Sequence, residues 1–157
     1  MRRRITAVAT SAVAVLVCLA PAAGAGTAPA AAAPAAKAKI IDQRLNACAP
    51  LRGGGCAQGA VVTYWYHRGS RTRSLSWVYA SREPVSKGRT YMARWSYREP
   101  GGSWHTSAWK RLTHVPRSDF AEVGWGKGGR TGRAYARGTE VCIQHKGLSP
   151  STCFTLK

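Results

Sequence analysis

Beyond residue 40 several stretches of this sequence place apolar side chains at every second position, and no stretch sustains the 3.6-residue period of an amphipathic helix. In "RTYMARWSYRE" Tyr91, Ala93, Trp95 and Tyr97 share one face, and Thr90, Met92, Arg94, Ser96 and Arg98 share the other. In "SLSWVYA" Leu75, Trp77 and Tyr79 alternate with small or polar residues; "VVTYWYHR" is apolar on both faces. Alternation rich in Val, Thr, Tyr and Trp marks strands that bury one side. Turn-forming words with Gly or Pro ("HRGSRTRS", "REPVSKGR", "REPGGS", "HVPRSD") separate these runs, and Arg-Glu-Pro closes two of them, at 82–84 and 98–100. With "WHTSAWKRLTHV", "FAEVGW", "AYARGTEVCIQ" and "TCFTL" the chain offers about seven strands. The expected fold is all-β: a single small antiparallel sandwich or barrel-like domain.

The first 25 residues read differently. Three arginines precede an apolar run from Ile5 to Ala20, and small residues follow, ending in Ala23-Gly24-Ala25. That order is a secretory signal peptide, residues 1–25. The run is shorter than the roughly 20 apolar residues a spanning helix needs, so no stable membrane insertion is expected. Cys18 follows Val17 rather than a small residue, and reads as part of the apolar run rather than as a lipid-attachment site. Residues 26–39, "GTAPAAAAPAAKAK", hold no apolar side chain larger than Ala and cannot bury a core, which makes them a disordered lead. The folded part is then 40–157, one secreted, extracellular β domain, expected to be monomeric.

Four cysteines fall in that domain: Cys48, Cys56, Cys142 and Cys153. An even number in a small exported domain implies disulfides. Neither C-x-x-C nor a histidine pair at zinc spacing occurs, so no metal is expected. Four cysteines allow three pairings. "APLRGGG" between Cys48 and Cys56, and Gly147 and Pro150 between Cys142 and Cys153, favour the two local bonds.

The full chain carries +18, with 24 basic and 6 acidic residues; loss of residues 1–25 removes three arginines and no carboxylate, leaving +15. Such a field attracts acidic polysaccharide, cell-wall polymers and nucleic acid alike. Arginine-rich, alanine-rich composition also follows from GC-rich coding, so charge alone names no ligand.

"GWGKGGRTGR" at 124–133 contains a formal G-x-G-x-x-G at Gly124, Gly126 and Gly129. A dinucleotide site needs a helix next and a βαβ unit around it. Here Gly132 and Gly138 interrupt the continuation and too little chain remains, so no nucleotide cofactor is expected and the segment reads as a long hairpin connection. Its cations Lys127, Arg130 and Arg133, together with Lys110 and Arg111, are the candidate anion contacts. Trp77 and Trp95 are expected inside. Trp104 and Trp109, five apart in one expected strand, should point to opposite faces, leaving one of them exposed; Trp125, in the glycine loop, is a further candidate for aromatic contact with a ligand.

No nucleophile motif or metalloprotease motif occurs, and no catalytic residue is assigned. The primary expectation is a secreted, cationic, non-enzymatic domain that binds an anionic extracellular or cell-wall polymer. A secreted nuclease or glycan hydrolase working through His114 or His105 with Glu122 is the first alternative. An inhibitor or effector presenting the 48–56 loop is the second.

Overall fold

The computed structural model describes residues 38–50 and 56–157; the expected signal peptide, nearly all of the lead and the tip of the 48–56 loop lie outside the described residues. The strands, in chain order, are β1 (Ile40–Pro50), β2 (Cys56–His67), β3 (Thr72–Arg82), β4 (Met92–Arg98), β5 (His105–Thr106), β6 (Lys110–Arg111), β7 (Thr113–His114), β8 (Ala121–Gly126), β9 (Ala134–Ala136), β10 (Glu140–His145) and β11 (Thr152–Thr155). They form two antiparallel sheets, the first in the order β1-β2-β3-β8-β7 with β9 also on β3, the second β11-β10-β4-β5 with β6 also on β4. The fold is all-β and carries the disulfides Cys48–Cys56 and Cys142–Cys153.

The count exceeds seven for local reasons. β1 carries no clear alternation, because polar Gln43 and small Ala47 interrupt its apolar row, as an edge strand allows. "WHTSAWKRLTHV" breaks into β5, β6 and β7, and "AYARGTEVCIQ" divides into β9 and β10 around Gly138, which sits at φ 89°. The two Arg-Glu-Pro words do mark strand exits, since β3 ends at Arg82 and β4 at Arg98.

Register turns alternation into a core. Val62 lies opposite Val78, Ala60 opposite Ala80, and Ala80 opposite Val123, so these side chains share the inner face of the first sheet. From the second sheet Ala93, Val141 and Ile143 meet them, and Val62, Val78, Val141, Ile143 and Leu156 are almost wholly buried. Burying a Val, Leu or Ile side chain contributes about 1.5–3 kcal/mol. Trp95, Tyr97 and Trp125 pack against this cluster while remaining half-buried. Trp77 was expected inside too, but it lies opposite Thr63, one residue from Val78, and therefore on the outer face.

The chain changes sheets within five residues. Lys110–Arg111 pairs with β4, Thr113–His114 pairs with β8, and Leu112 between them is buried, its amide bonded to the Tyr91 carbonyl at 2.9 Å.

The glycine segment is not a hairpin. β8 and β9 both run antiparallel to β3 along the same edge: Trp77 faces Gly126 and Ser74 faces Ala134. Residues 127–133 are thus an excursion from one nearly continuous edge, and its two ends press on β3. A Cβ on Gly126 would sit 2.3 Å from the Ser76 carbonyl oxygen, and one on Gly132 would sit 1.8 Å from that of Leu75; their φ angles are 96° and 115°. Only glycine fits there, and no phosphate is needed to explain the motif.

Two buried basic side chains are handled in opposite ways. Arg73 lies over the Tyr66 ring at 3.8 Å and donates to the carbonyls of Ser70 and Thr72, each at 2.9 Å, and to that of Lys157. His145, facing inward from β10, completes no normal hydrogen bond at either ring nitrogen. Burial holds its imidazole below the ordinary 6.5; the Gly59 backbone opposes this weakly and the Arg82 cation adds to it.

Gly132→Ala should cost about 2 kcal/mol or more in urea unfolding, against about 1 kcal/mol for Gly129→Ala, where φ is 61° but the space is open. Equal costs would mean that the loop is not seated on β3. For His145, the unfolded chain binds a proton below pH 6.5 that the folded chain refuses, so stability is full above that value and falls as pH drops. Thermal melts at about pH 7.5 and about pH 5 should show a larger loss for the wild type than for His145→Leu.

Candidate functional site

The outer face of the second sheet carries an ordered set of rungs. Register places Glu140 opposite Arg98, Cys142 opposite Ser96 and Gln144 opposite Arg94. Because outward-facing residues on β4 fall at every second position, neighbouring rungs are about 7 Å apart. On the first rung the Arg98 guanidinium lies over the Trp104 ring at 4.9 Å and donates to Glu140 Oε2 at 3.0 Å. On the third, the Arg94 guanidinium lies over Trp109 at 4.4 Å and its Nε donates to Gln144 Oε1 at 2.8 Å. The Cys142–Cys153 bond occupies the middle rung, beside Ser96.

Trp104 and Trp109 therefore share a face instead of opposing each other. The reason is one extra residue. Ser96 pairs with Thr106 and Ala93 with Lys110, so three steps along β4 match four along its partner. Such a bulge inverts the parity of everything beyond it. Extended by one step at each end, the register sets Trp104 against Arg98 and Trp109 against Arg94. Ser107 anchors the irregularity: its amide donates to the Trp95 carbonyl at 2.9 Å, and its hydroxyl accepts the Trp95 N–H at 3.1 Å. Trp104, 45% accessible, is the exposed large apolar side chain among the described residues. Trp125, the other expected contact, instead packs against the core opposite Val78, with the Lys110 ammonium 6.0 Å from its ring centre.

The cations of the glycine loop do not converge. Arg130 reaches across to Asp42 of β1, donating from Nη2 at 2.9 Å and Nε at 3.3 Å, and this bond holds the exposed Asp42 carboxyl below its usual range. Arg133 donates to the Tyr97 hydroxyl at 3.2 Å and lies beside the Tyr97 and Tyr135 rings. Lys127 is exposed. Lys110 donates to the Gly124 carbonyl at 2.8 Å. Arg111 faces Met92 at the end of the same outer row that holds Arg94 and Arg98.

The acid–base pairing weighed from the sequence is not assembled. His114 lies opposite Ala121 and Glu122 opposite Thr113, so the imidazole and the carboxylate leave opposite faces of the first sheet. The Tyr79 hydroxyl donates a hydrogen bond to Glu122 Oε2 at 2.5 Å; burial and this carboxylate together push the phenol well above its usual value. His105 stacks on Tyr97 at 4.8 Å, in the other sheet. Glu140 lies within 4.8 Å of the Cys142 and Cys153 sulfurs, but bonded sulfurs offer no thiolate to a metal. No helix among the described residues is long and apolar enough to cross a membrane. No family model matches the chain, and no curated protein and no solved structure proves similar to it.

Two substitutions separate the surface tryptophan from the structural one. Trp95→Ala should destabilise the domain by about 3–5 kcal/mol, the range for truncating a packed aromatic. Trp104→Ala should cost clearly less, about 1–2 kcal/mol, since nearly half of the residue is already in water and it forfeits one cation–π contact and partial burial. Denaturant melts of both variants decide this; a large cost for Trp104→Ala would make that ring structural.

Proposed function

We propose that this is a secreted, cationic, non-enzymatic binding domain for an anionic extracellular or cell-wall polymer. The observation that carries the reading is the paired Arg98–Trp104 and Arg94–Trp109 arrangement on one sheet face. Each guanidinium lies over an indole and is held by one side-chain acceptor, leaving further N–H donors for an oxyanion. The exposed Trp104 ring adds a flat apolar surface on which a sugar or base can stack. The rungs repeat along β4, which suits an extended ligand better than a compact one. The net charge of the chain supplies long-range attraction. The two disulfides are compatible with an oxidising destination. The separation of His114 from Glu122 counts against the hydrolase alternative.

The test is a binding titration of the disulfide-bonded protein against a glycerol-phosphate polymer, a sulfated polysaccharide and a neutral glucan, at several salt concentrations. The polyanions should bind with affinity that falls steeply with salt. Trp104→Ala combined with Arg98→Gln should weaken binding by about tenfold or more, one lost charged hydrogen bond and one stacking partner being ample for that. Equal, salt-insensitive binding of neutral glucan would sink the proposal, as would polymer cleavage abolished by His105→Ala or His114→Ala.

A further inference from the structure

The corner where the chain changes sheets holds a half-open cavity of about 340 Å³. Arg89, Arg111 and His114 line it, with the hydroxyl-bearing Ser86 and Thr113 and the ring of Tyr91. Its floor is Val85, Leu112 and Ala121, all buried in the core. No carboxylate lines it. A second hollow shares Val85 and His114 with it and adds Lys87 and Arg117, against the single acid Asp119. Three features fix the rim. The Ser86 amide donates to the Tyr91 hydroxyl at 3.0 Å, the Val85 amide to the Asp119 carbonyl at 2.7 Å, and the Leu112 amide to the Tyr91 carbonyl at 2.9 Å. The walls thus come from the β3–β4 connection, the sheet-changing segment and the start of β8, and backbone hydrogen bonds tie the first of these to the second and to the turn that precedes β8.

A water claims only about 30 Å³, so the cavity exceeds what a lone ion fills and falls in the size range of small-molecule sites. Its chemistry is two-sided, with an aromatic and aliphatic floor and basic and hydroxyl groups above it. We propose that this cavity binds one sugar-sized unit bearing a tetrahedral oxyanion, a phosphate or sulfate monoester, with Arg89 and Arg111 holding the anion and Tyr91 carrying the ring. The inference rests on the polymer-binding reading and deepens it: Arg111 lies at the end of the Arg98–Arg94 row, so a polymer along β4 presents one charged unit at this corner. Two guanidiniums and the Ser86 hydroxyl match the several acceptor oxygens of a phosphate or sulfate better than the two of a carboxylate.

The experiment titrates the disulfide-bonded protein with glucose 6-phosphate, glucose 6-sulfate, glucuronate, adenosine monophosphate and glucose, following backbone amide shifts by NMR. One saturable site is expected for glucose 6-phosphate or glucose 6-sulfate, with shifts at Ser86, Thr113 and their neighbours. Arg89→Gln with Arg111→Gln should weaken that binding about tenfold or more, while Arg44→Gln on the distant β1 should leave it within about twofold. The amide map on wild-type protein stands even where the double variant folds poorly. Shifts scattered over the whole basic surface, or equal losses in Arg44→Gln, would overturn the site and reduce it to general charge attraction. Tighter binding of adenosine monophosphate, or no saturable binding of either ester, would overturn it too. Polymer binding lost in the Trp104 and Arg98 variant, with no response here, would leave the rungs of the second sheet standing and remove only this cavity.

Discussion

Everything in this domain hangs on two sheets sharing one apolar layer, which forces each long strand to commit one row of side chains inward. β3 shows the commitment most plainly. Val78 and Ala80 enter the core, and Trp77 and Tyr79 are thereby sent outward, their rings 5.1 Å apart. The large outer ring then dictates its neighbour: a Cβ at Gly124 would meet Trp77 Nε1 at 2.5 Å, so glycine stands there. The same parity, inverted once by the extra residue between Thr106 and Lys110, lets both Trp104 and Trp109 rest on β4 arginines. A one-residue irregularity thus decides whether this face carries one aromatic or two.

Charge imposes a second constraint. With 24 basic residues and 6 acidic ones, most cations can find no carboxylate. Among the described residues the ion pairs are Arg98–Glu140 and Arg130–Asp42. Aromatic rings take up others: Arg73 on Tyr66, Arg82 on Tyr91, Arg94 on Trp109. Each such contact contributes about 0.5–1 kcal/mol where exposed, comparable to a surface ion pair, but it leaves the positive charge uncompensated. Arginines held this way are fixed in place and still cationic, a useful state for meeting an anionic ligand without further ordering cost.

The all-β class was legible because alternation is a property of neighbouring residues, and "RTYMARWSYRE" displays it directly. The local disulfides were legible because a turn between close cysteines is written in Gly and Pro. What stayed hidden depended on partners far along the chain. Nothing in "WHTSAWKRLTHV" announces that Ser107 will bracket Trp95, so the common face of Trp104 and Trp109 could not be read from their spacing. Nor does "GWGKGGRTGR" disclose that both its ends lean on Leu75 and Ser76 of one strand. The cavity beside Leu112 draws on residues between Val85 and Ala121, and no contiguous word announces it. Arg111 was singled out because it follows Trp109 and Lys110 in the sequence, whereas Arg89 and Tyr91 were not, since a lone arginine in a turn carries no signal of convergence.

Each disulfide ties an edge strand to its inner neighbour: β1 to β2 through Cys48 and Cys56, and β11 to β10 through Cys142 and Cys153. Edge strands have ladder partners on one side only and are the first to detach. β11 is four residues long, yet it carries Phe154 against the core and leads directly into the buried Leu156. Its loss would uncover the end of the apolar layer and free the Cys153 side of the middle rung. The bond between β10 and β11 therefore protects core and surface together, because the strand that closes the one also backs the other. Since the Arg98–Glu140 and Arg94–Gln144 pairs flank that rung, their alignment relies on a β10 that cannot slip. Covalent stapling at this edge is thus a condition for the ordered cation–aromatic face.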